Sequence, residues 1–145
     1  MRARRFFQGL GLAGALAFSG CSSMGFGAHE TSWTMNSSKD VQAATGTVKV
    51  ANQKDGNTSV KVEVEHLAPP TTVFQDTSTY VVWVKPENGK AMNVGVLKIS
   101  GDLKGELQTS TAFKDFTVLV TAEHSPSVLT PSQNTVMNTT VTMPS

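Results

Sequence analysis

The sequence predicts an all-β fold, an antiparallel β-sandwich of about seven strands, on three observations. Apolar and polar residues alternate with a period of two in several segments, as where Val60, Val62 and Val64 alternate with charged residues, and this period is typical of strands with one buried face. Turn signals separate these segments at short intervals. No convincing helical period is present, and Val and Thr, which favour strands, are abundant.

The predicted strands follow one another along the last two thirds of the chain. They cover residues 47–51, 60–65, 80–84, 92–99, 105–111, 116–123 and 135–143. Residues 80–84 are apolar at both parities, which is typical of a strand whose two faces are both covered. We expect a core that contains Val62, Val64, Tyr80, Val82, Trp83, Val84, Leu97, Phe116, Val118 and Val120. We expect Trp83 to lie across from Phe116 or Val118.

Turn residues separate these strands. The pair Asp55-Gly56 predicts a hairpin, because both residue types tolerate a positive φ. Residues 86–89 begin with Pro and end with Gly, which predicts a second turn. The prolines within 68–70 and 125–126 mark points where a strand cannot continue.

The N-terminal segment predicts export from the cytoplasm. Three arginines precede an apolar run over residues 6–18, and Ser19-Gly20 supply small residues directly before Cys21; this is the layout of an export signal. The apolar run is shorter than the ~20 residues that a membrane-spanning helix needs.

The tetrapeptide Phe18-Ser19-Gly20-Cys21 resembles the lipobox of bacterial lipoproteins, although Phe18 stands where that family prefers Leu. The resemblance implies that residues 1–20 are removed, that the Cys21 thiol receives a diacylglycerol and that the new amino terminus is acylated. It also implies a cell-envelope location, with the outer membrane favoured by Ser22 if the cell has two membranes. An ordinary secretory signal with an incidental cysteine is the alternative.

Beyond the signal, the composition predicts one tethered domain. Residues 21–40 are small and polar without a clear period, and we expect them to form a lipidated flexible tether; residues 41–145 then form the folded domain. Trp33 and Met35 in the predicted tether could lie at the lipid interface or dock onto the domain, and docking is favoured slightly.

Charge and cysteine content exclude several function classes. The mature chain carries nine Lys against eleven Asp and Glu, a formal charge of −2 with His neutral, and its lysines are scattered. This pattern does not fit a nucleic-acid partner. With Cys21 acylated no thiol is left, which excludes disulfides and cysteine metal sites.

The second half of the chain resembles the extracytoplasmic domain of anti-sigma-K factors. The segments that carry the resemblance are Tyr80-Val81-Val82-Trp83-Val84, Gly95-Val96-Leu97, Phe116-Thr117-Val118-Leu119-Val120-Thr121-Ala122-Glu123, Ser125-Pro126 and Thr130-Pro131. The resemblance covers roughly residues 78–137 and implies an immunoglobulin-like sandwich that faces the envelope. No segment of this sequence resembles the family's cytoplasmic sigma-binding domain or its membrane helix, so the resemblance does not imply sigma-factor inhibition.

Histidine and methionine are residue types of this chain that could bind a metal ion. His29, His66 and His124 show none of the spacings that direct two imidazoles at one ion, and we expect His66 to be a partly buried structural residue. Four methionines could bind cuprous ion, but they are scattered and Met fills sandwich cores routinely. They are Met35, Met92, Met137 and Met143.

No catalytic constellation is predicted. In Glu123-His124-Ser125, neighbouring strand residues point to opposite faces and cannot converge as a triad requires. We expect Glu123 to end a strand and residues 125–134 to form a loop that wraps the end of the sandwich. This loop is the best candidate contact surface, because loops on a rigid scaffold commonly carry function.

The sequence is compatible with three functions, of which the first is favoured. The first is a non-enzymatic, lipid-anchored envelope protein without cofactor, which acts as a structural or protein-interaction module for an unidentified envelope protein. The second is a periplasmic copper- or zinc-binding protein that uses His66, His124 and nearby Met or Glu residues. The third is a carbohydrate- or peptidoglycan-binding module, which requires an exposed Trp33 or Trp83.

Overall fold

The computed structural model describes residues 29–143, and in this part of the chain every strand pairing is antiparallel. The strands are β1 (Glu30–Thr34), β2 (Asn36–Ser37), β3 (Thr45–Asn52), β4 (Thr58–Glu65), β5 (Thr79–Pro86), β6 (Met92–Ile99), β7 (Gly105–Thr111), β8 (Asp115–Glu123) and β9 (Thr135–Thr142). A 3-10 helix (Lys39–Val41) and a short helix α1 (Pro70–Val73) complete the elements. The all-β prediction is confirmed, with nine strands in place of about seven.

The nine strands form one sheet in the order β1-β3-β4-β7-β6-β5-β8-β9-β2. Strands β5, β6 and β7 form a meander, and β8 returns to pair with β5, which is the arrangement of a Greek key. The outermost strands of this order, β1 and β2, are separated in the chain by Met35 alone. The sheet therefore curls into a nearly closed barrel.

The two additional strands lie where the sequence predicts a tether, and this boundary needs correction. Residues 30–34 pair along their whole length with β3, and residues 36–37 pair with β9. Among the described residues, regular structure is therefore present from Glu30, eleven residues before the expected domain start at Val41. One face of β1 points to solvent, which agrees with its mostly polar sequence. The sequence alone does not mark it as a strand; its pairing with β3 does. The predicted signal, the lipobox and Cys21 lie outside the described residues.

Met35 docks onto the domain at the point where the chain crosses from β3 to β9. Its backbone N–H donates to the Gly46 carbonyl at 2.9 Å, and its side chain is 4% exposed. A Cβ on Gly46 would lie 2.8 Å from Met137 Sδ and 3.1 Å from Met35 Sδ. Gly46 thus leaves room for both thioethers at the seam of the barrel, and a larger residue would require the Met side chains to shift. The prediction that Met35 and Trp33 dock is confirmed, since both pack on the core.

All of the predicted core side chains are buried. All except Trp83 belong to one cluster inside the barrel. This cluster takes alternate residues of each strand, for example Val60, Val62 and Val64 of β4, as the period-two pattern predicts.

The predicted turns are also present. Gly56 adopts a φ of 90° in the hairpin between β3 and β4, a conformation that glycine reaches without steric cost. In the turn between β5 and β6, the Gly89 N–H donates to the Pro86 carbonyl at 3.2 Å. Helix α1 begins at Pro70, where the proline pair was expected to interrupt the strands.

The two ends of the barrel differ in the length of their connections. One end, here called the turn end, carries the short turns of residues 53–57, 87–91 and 112–114. The other, the loop end, carries residues 38–44, 66–78 and 100–104. At the turn end, the Lys114 ammonium donates to Asn52 Oδ1, the Gly56 carbonyl and Thr58 Oγ1 at 2.8, 3.1 and 3.1 Å. These contacts fasten the β7–β8 turn to the β3–β4 hairpin.

Tyr80 ties the loop end to the core. Its hydroxyl donates to the Ala68 carbonyl at 2.6 Å, and burial raises the pKa of this phenol to about 12. Because folding favours the neutral phenol, the associated stabilisation is complete below the unfolded pKa of about 10. It is lost as the pH rises through the folded pKa.

We expect a spectroscopic titration to show this shift without interference, because Tyr80 is the only tyrosine. In folded protein, phenolate absorbance should stay low until the pH approaches about 12. In urea, the midpoint should fall to about 10. The Tyr80→Phe variant supplies the baseline, and a folded midpoint equal to the urea midpoint would contradict the buried environment.

Candidate functional site: the loop between β8 and β9

Part of the outer face of the β5–β8 pair is buried, unlike most of the barrel's outer surface. Trp83 pairs with Leu119 and Val81 pairs with Thr121, and residues that pair in this way share a face of the sheet. This face is opposite to the one that carries Val82 and the core. Even so, Val81, Trp83 and Thr121 are each 0% exposed. Another part of the chain must cover them.

The covering segment is the β8–β9 connection, residues 124–134, here called the cover loop. Asn93, the register partner of Trp83, donates from Nδ2 to the carbonyls of Pro126 and Val128, at 2.9 Å each. The Gly95 N–H donates to Asn93 Oδ1 at 3.0 Å and orients that amide. The loop therefore runs from β8 across Trp83 to β6. The sequence predicted that residues 125–134 wrap the end of a sandwich; the contacts with Asn93 place the loop along the side of the sheet instead.

A buried hydrogen-bond chain lies beneath this loop. Trp83 Nε1 donates to Thr121 Oγ1 at 2.8 Å, and Thr121 Oγ1 donates to Glu123 Oε2 at 2.5 Å. The backbone N–H of Ser132 donates to the same carboxylate oxygen at 2.8 Å. Glu123 is 3% exposed, and no salt bridge within residues 29–143 involves it. Directed hydrogen bonds therefore hold this carboxylate, as a buried charged group requires.

The chain of donors fixes the second half of the cover loop. Ser132 also donates from Oγ to the Ala122 carbonyl at 3.3 Å, and Ala122 in turn donates its N–H to the Asn134 carbonyl at 2.9 Å. Together with Asn93, these contacts attach the loop on both sides of its middle. The loop is thus a defined surface of the molecule.

Between the two attachments the loop presents an apolar side chain. Leu129 is 85% exposed, the largest exposure among the large hydrophobic residues of the described chain, while Val128 and Pro131 beside it are half-buried. Residues 125–134 contain no Asp, Glu, Lys or Arg. A fixed, uncharged loop with an exposed Leu has the composition of an interface core, where charged residues are depleted.

The position of Trp83 corrects one prediction. It is buried, as expected, but it lies opposite Leu119 on the outer face rather than across from Phe116 or Val118 in the core. The two-sided apolar pattern of residues 80–84 did indicate that both faces are covered. The register of β5 against β8 is regular through Trp83, so the alternation of β5 itself places Trp83 on the face opposite to Val82 and Val84. The strand's own sequence does not show the cover loop that lies over this face.

The histidines differ from expectation at one position. His66 is exposed, with a φ of 60°, just after β4 ends at Glu65. The expectation of a partly buried structural histidine is wrong. It assumed that the alternation of Val60, Val62 and Val64 continues to residue 66, but β4 ends at Glu65. His29 and His124 are also exposed. Within residues 29–143, no three His, Cys, Asp or Glu side chains converge in a way that could hold a metal ion.

Glu123, His124 and Ser125 point to separate partners. Glu123 is the last residue of β8, as predicted. Its carboxylate contacts Thr121 and Ser132, whereas Ser125 Oγ contacts the hydroxyl of Ser127 at 3.1 Å. Met35, Met137 and Met143 are buried with the core and Met92 is 42% exposed, so that the four methionines are not grouped as one surface site.

The outer face of β3, β4 and β7 is polar and gives a useful contrast. Lys61 bridges Glu63 and Glu106 at 3.4 and 2.8 Å, and Lys49 contacts Glu63 at 3.1 Å. The hydrogen bond to Glu106 raises the pKa of Lys61, and the one from Lys49 lowers the pKa of Glu63. These side chains are about one-third to half exposed, and exposed pairs contribute little stability. This face is solvated, whereas the β5–β8 face is covered.

The residues that hold the cover loop were not predicted individually. Asn93, Thr121 and Ser132 contact partners that are distant in sequence or lie on another element, and no local motif marks them. The available signal was the stretch 125–134, which has no Asp, Glu, Lys or Arg and follows a strand that pairs with the two-sided apolar strand β5.

Comparison with known proteins gives no relative. The chain matches no family model, and neither the curated proteins nor the solved structures compared with it gave a match. None of the helices within residues 29–143 combines the length and the apolar character needed to cross a bilayer.

We expect Glu123→Ala to loosen the cover loop, because it leaves the Thr121 hydroxyl and the Ser132 N–H without their acceptor. Hydrogen bonds to a charged group contribute about 2 kcal/mol, and the free energy of unfolding should fall by about that amount. Urea unfolding measures the loss, and faster amide exchange at Ser132 locates it.

Glu123→Gln is the matched control, because its side-chain oxygen can still accept both bonds without the charge. It should lose less stability than Glu123→Ala and keep slow exchange at Ser132. Equal exchange rates in the parent protein and in Glu123→Ala would show that the carboxylate does not hold the loop.

Proposed function

We propose that the protein is a lipid-anchored component of the cell envelope, without catalytic activity, whose domain binds another envelope protein through the cover loop. The observation that carries the binding half is the loop itself. It is attached by Asn93 on one side and by Glu123 on the other, and it exposes Leu129 between them.

Attachment of the loop matters because ordering a flexible segment opposes binding. Immobilising a side chain at an interface costs about 0.5–1.5 kcal/mol, and loop ordering adds to this cost. A loop that is already fixed in the free protein avoids most of it. Burying Leu129 against a partner would then contribute roughly 2 kcal/mol.

The anchoring half rests on the sequence. Residues 2–18 and the tetrapeptide ending at Cys21 have the layout of a lipoprotein signal. Several acyl chains on one protein hold it stably on a membrane, because each buried methylene contributes about 0.8 kcal/mol. Ser22 favours the periplasmic face of an outer membrane in a cell that has two membranes.

The immunoglobulin-like assignment stays a prediction. One feature supports it: the first strand changes partner from β3 to β9 at Met35 and so links two halves of the sheet. Another feature differs from the immunoglobulin arrangement, in which the second and third strands of the chain lie in different sheets. Here the consecutive full-length strands β3 and β4 pair along eight residues.

Metal binding and carbohydrate binding stay as alternative predictions with less support. His66 and His124 are exposed without a converging third ligand among residues 29–143. Trp83 is covered and Trp33 is half-buried against the core, whereas stacking on a sugar ring needs an exposed indole face. One equivalent of copper or zinc in purified protein, or a Trp emission shift with murein fragments, would favour them.

We expect Cys21→Ala to release the protein from membranes, because the substitution removes the thiol that receives the diacylglycerol. Fractionation of cells should find the parent protein with the membranes and the variant in the soluble envelope fraction. Cys21→Ser is the nearly isosteric control and should behave like Cys21→Ala. Membrane retention of both variants would overturn the anchoring proposal.

We expect Leu129→Asp to abolish crosslinking to the partner, because a carboxylate placed in an apolar contact must be desolvated. Crosslinking in intact envelopes, followed by affinity purification, should give a defined adduct from the parent chain. Leu103→Asp, at a residue that is 38% exposed on the loop end, is the matched control and should keep the adduct. An adduct that survives Leu129→Asp would place the contact elsewhere.

A further inference from the structure

The first described strand starts at the turn end of the barrel. Glu30 pairs with Ala51, one residue before β3 ends at Asn52. The β3–β4 hairpin follows directly and is fastened to Lys114 of the β7–β8 turn. The register of β1 therefore places the chain's entry into the domain beside the turns of residues 53–57 and 112–114.

Little chain lies between this entry point and the predicted lipid. Glu30 follows Cys21 by nine residues, and nine residues reach at most ~30 Å even when fully extended. The turn end must therefore stay within this distance of the bilayer if Cys21 is acylated. The eight-residue strands add ~26 Å from the turn end to the loop end.

We propose that the turn end faces the lipid surface and that the loop end is held away from it. This inference rests on the proposed acylation of Cys21. In the inverted orientation the loop end would touch the bilayer, and Glu30 would stand at least ~26 Å above it. The connecting residues would then be almost fully stretched, at a large cost in conformational entropy.

Charge does not oppose this orientation. The three short turns and the first residue of β8 carry Lys54, Lys90 and Lys114 against Asp55, Glu87 and Asp115. Because these three positive and three negative charges cancel, an anionic headgroup layer does not repel this end of the barrel. The lysines also form no basic patch that would bind such a layer by itself. Chain length is thus the constraint that keeps this end near the membrane.

The orientation decides which surfaces a partner can reach. Residues 38–44, 66–78 and 100–104 at the loop end point toward the envelope space. The cover loop lies along the side of the barrel, between the bilayer-facing end and the distal end. A partner can therefore reach Leu129 from beside the domain without entering the bilayer.

The test uses energy transfer from the domain to the membrane. Asn88→Cys places a fluorescent donor on the turn end and Ala43→Cys places one on the loop end, and both native residues are exposed. Each full-length acylated variant is reconstituted in phosphatidylethanolamine–phosphatidylglycerol vesicles with headgroup-labelled acceptor lipid. We expect a clear loss of donor fluorescence at position 88 and a much smaller loss at position 43.

A Gly/Ser insertion between Gly27 and Ala28, about as long as the native connection, supplies a second variant. It should reduce the transfer from position 88 toward that from position 43, because the longer connection removes the constraint. Equal transfer from the two positions before the insertion, or greater transfer from position 43, would overturn the proposed orientation.

Flotation of the same vesicles separates this inference from the proposed anchor. If the reconstituted protein does not float with the lipid, the proposed acylation of Cys21 is wrong, and the proposed orientation, which depends on it, is wrong as well. If the protein floats but the transfer pattern is reversed, the anchor stands and the orientation alone is wrong.

Discussion

The structure depends on the crossing at Met35, where the first strand passes from one side of the sheet to the other. The N–H of Met35 bonds to the Gly46 carbonyl, and the thioethers of Met35 and Met137 occupy the space that a side chain on Gly46 would take. Without this crossing, β3 and β9 would each present an unpaired edge, which is a site for unwanted pairing. The crossing closes the seam and encloses the Val-rich core.

Closure of the barrel leaves the outer face of β5 to be covered separately. Trp83 and Val81 are as fully buried as the residues inside the barrel, although they lie on its outer face, and the cover loop is attached beside Trp83 through Asn93. A loop without regular backbone pairing must satisfy its polar groups by other means. Asn93 and Glu123 perform this role, and the same contacts that protect Trp83 give the loop its fixed shape.

These two features divide the surface of the molecule. The strand that closes the barrel also brings the chain in at the turn end, while the cover loop provides an uncharged surface along the side. The face of β3, β4 and β7 carries alternating Lys and Glu side chains and is solvated. These surfaces are the ones to which the proposed anchor and the proposed partner are assigned: the turn end and the flank.

The sequence by itself determined the strand content and the identity of the core. The strands predicted at 92–99 and 105–111 have the bounds seen in β6 and β7, because an alternating pattern is a local property that any strand must satisfy to bury one face. Only the tertiary structure decided that residues 30–37 are strands, that the cover loop buries Trp83 on the outer face and that His66 is exposed. Each of these depends on a partner remote in the chain: β3 and β9 for the first strand, Asn93 and the cover loop for Trp83, and the end of strand pairing for His66. The hydrophobic period and the composition of a segment do not indicate such pairings, because the pairings form only when the whole sheet closes.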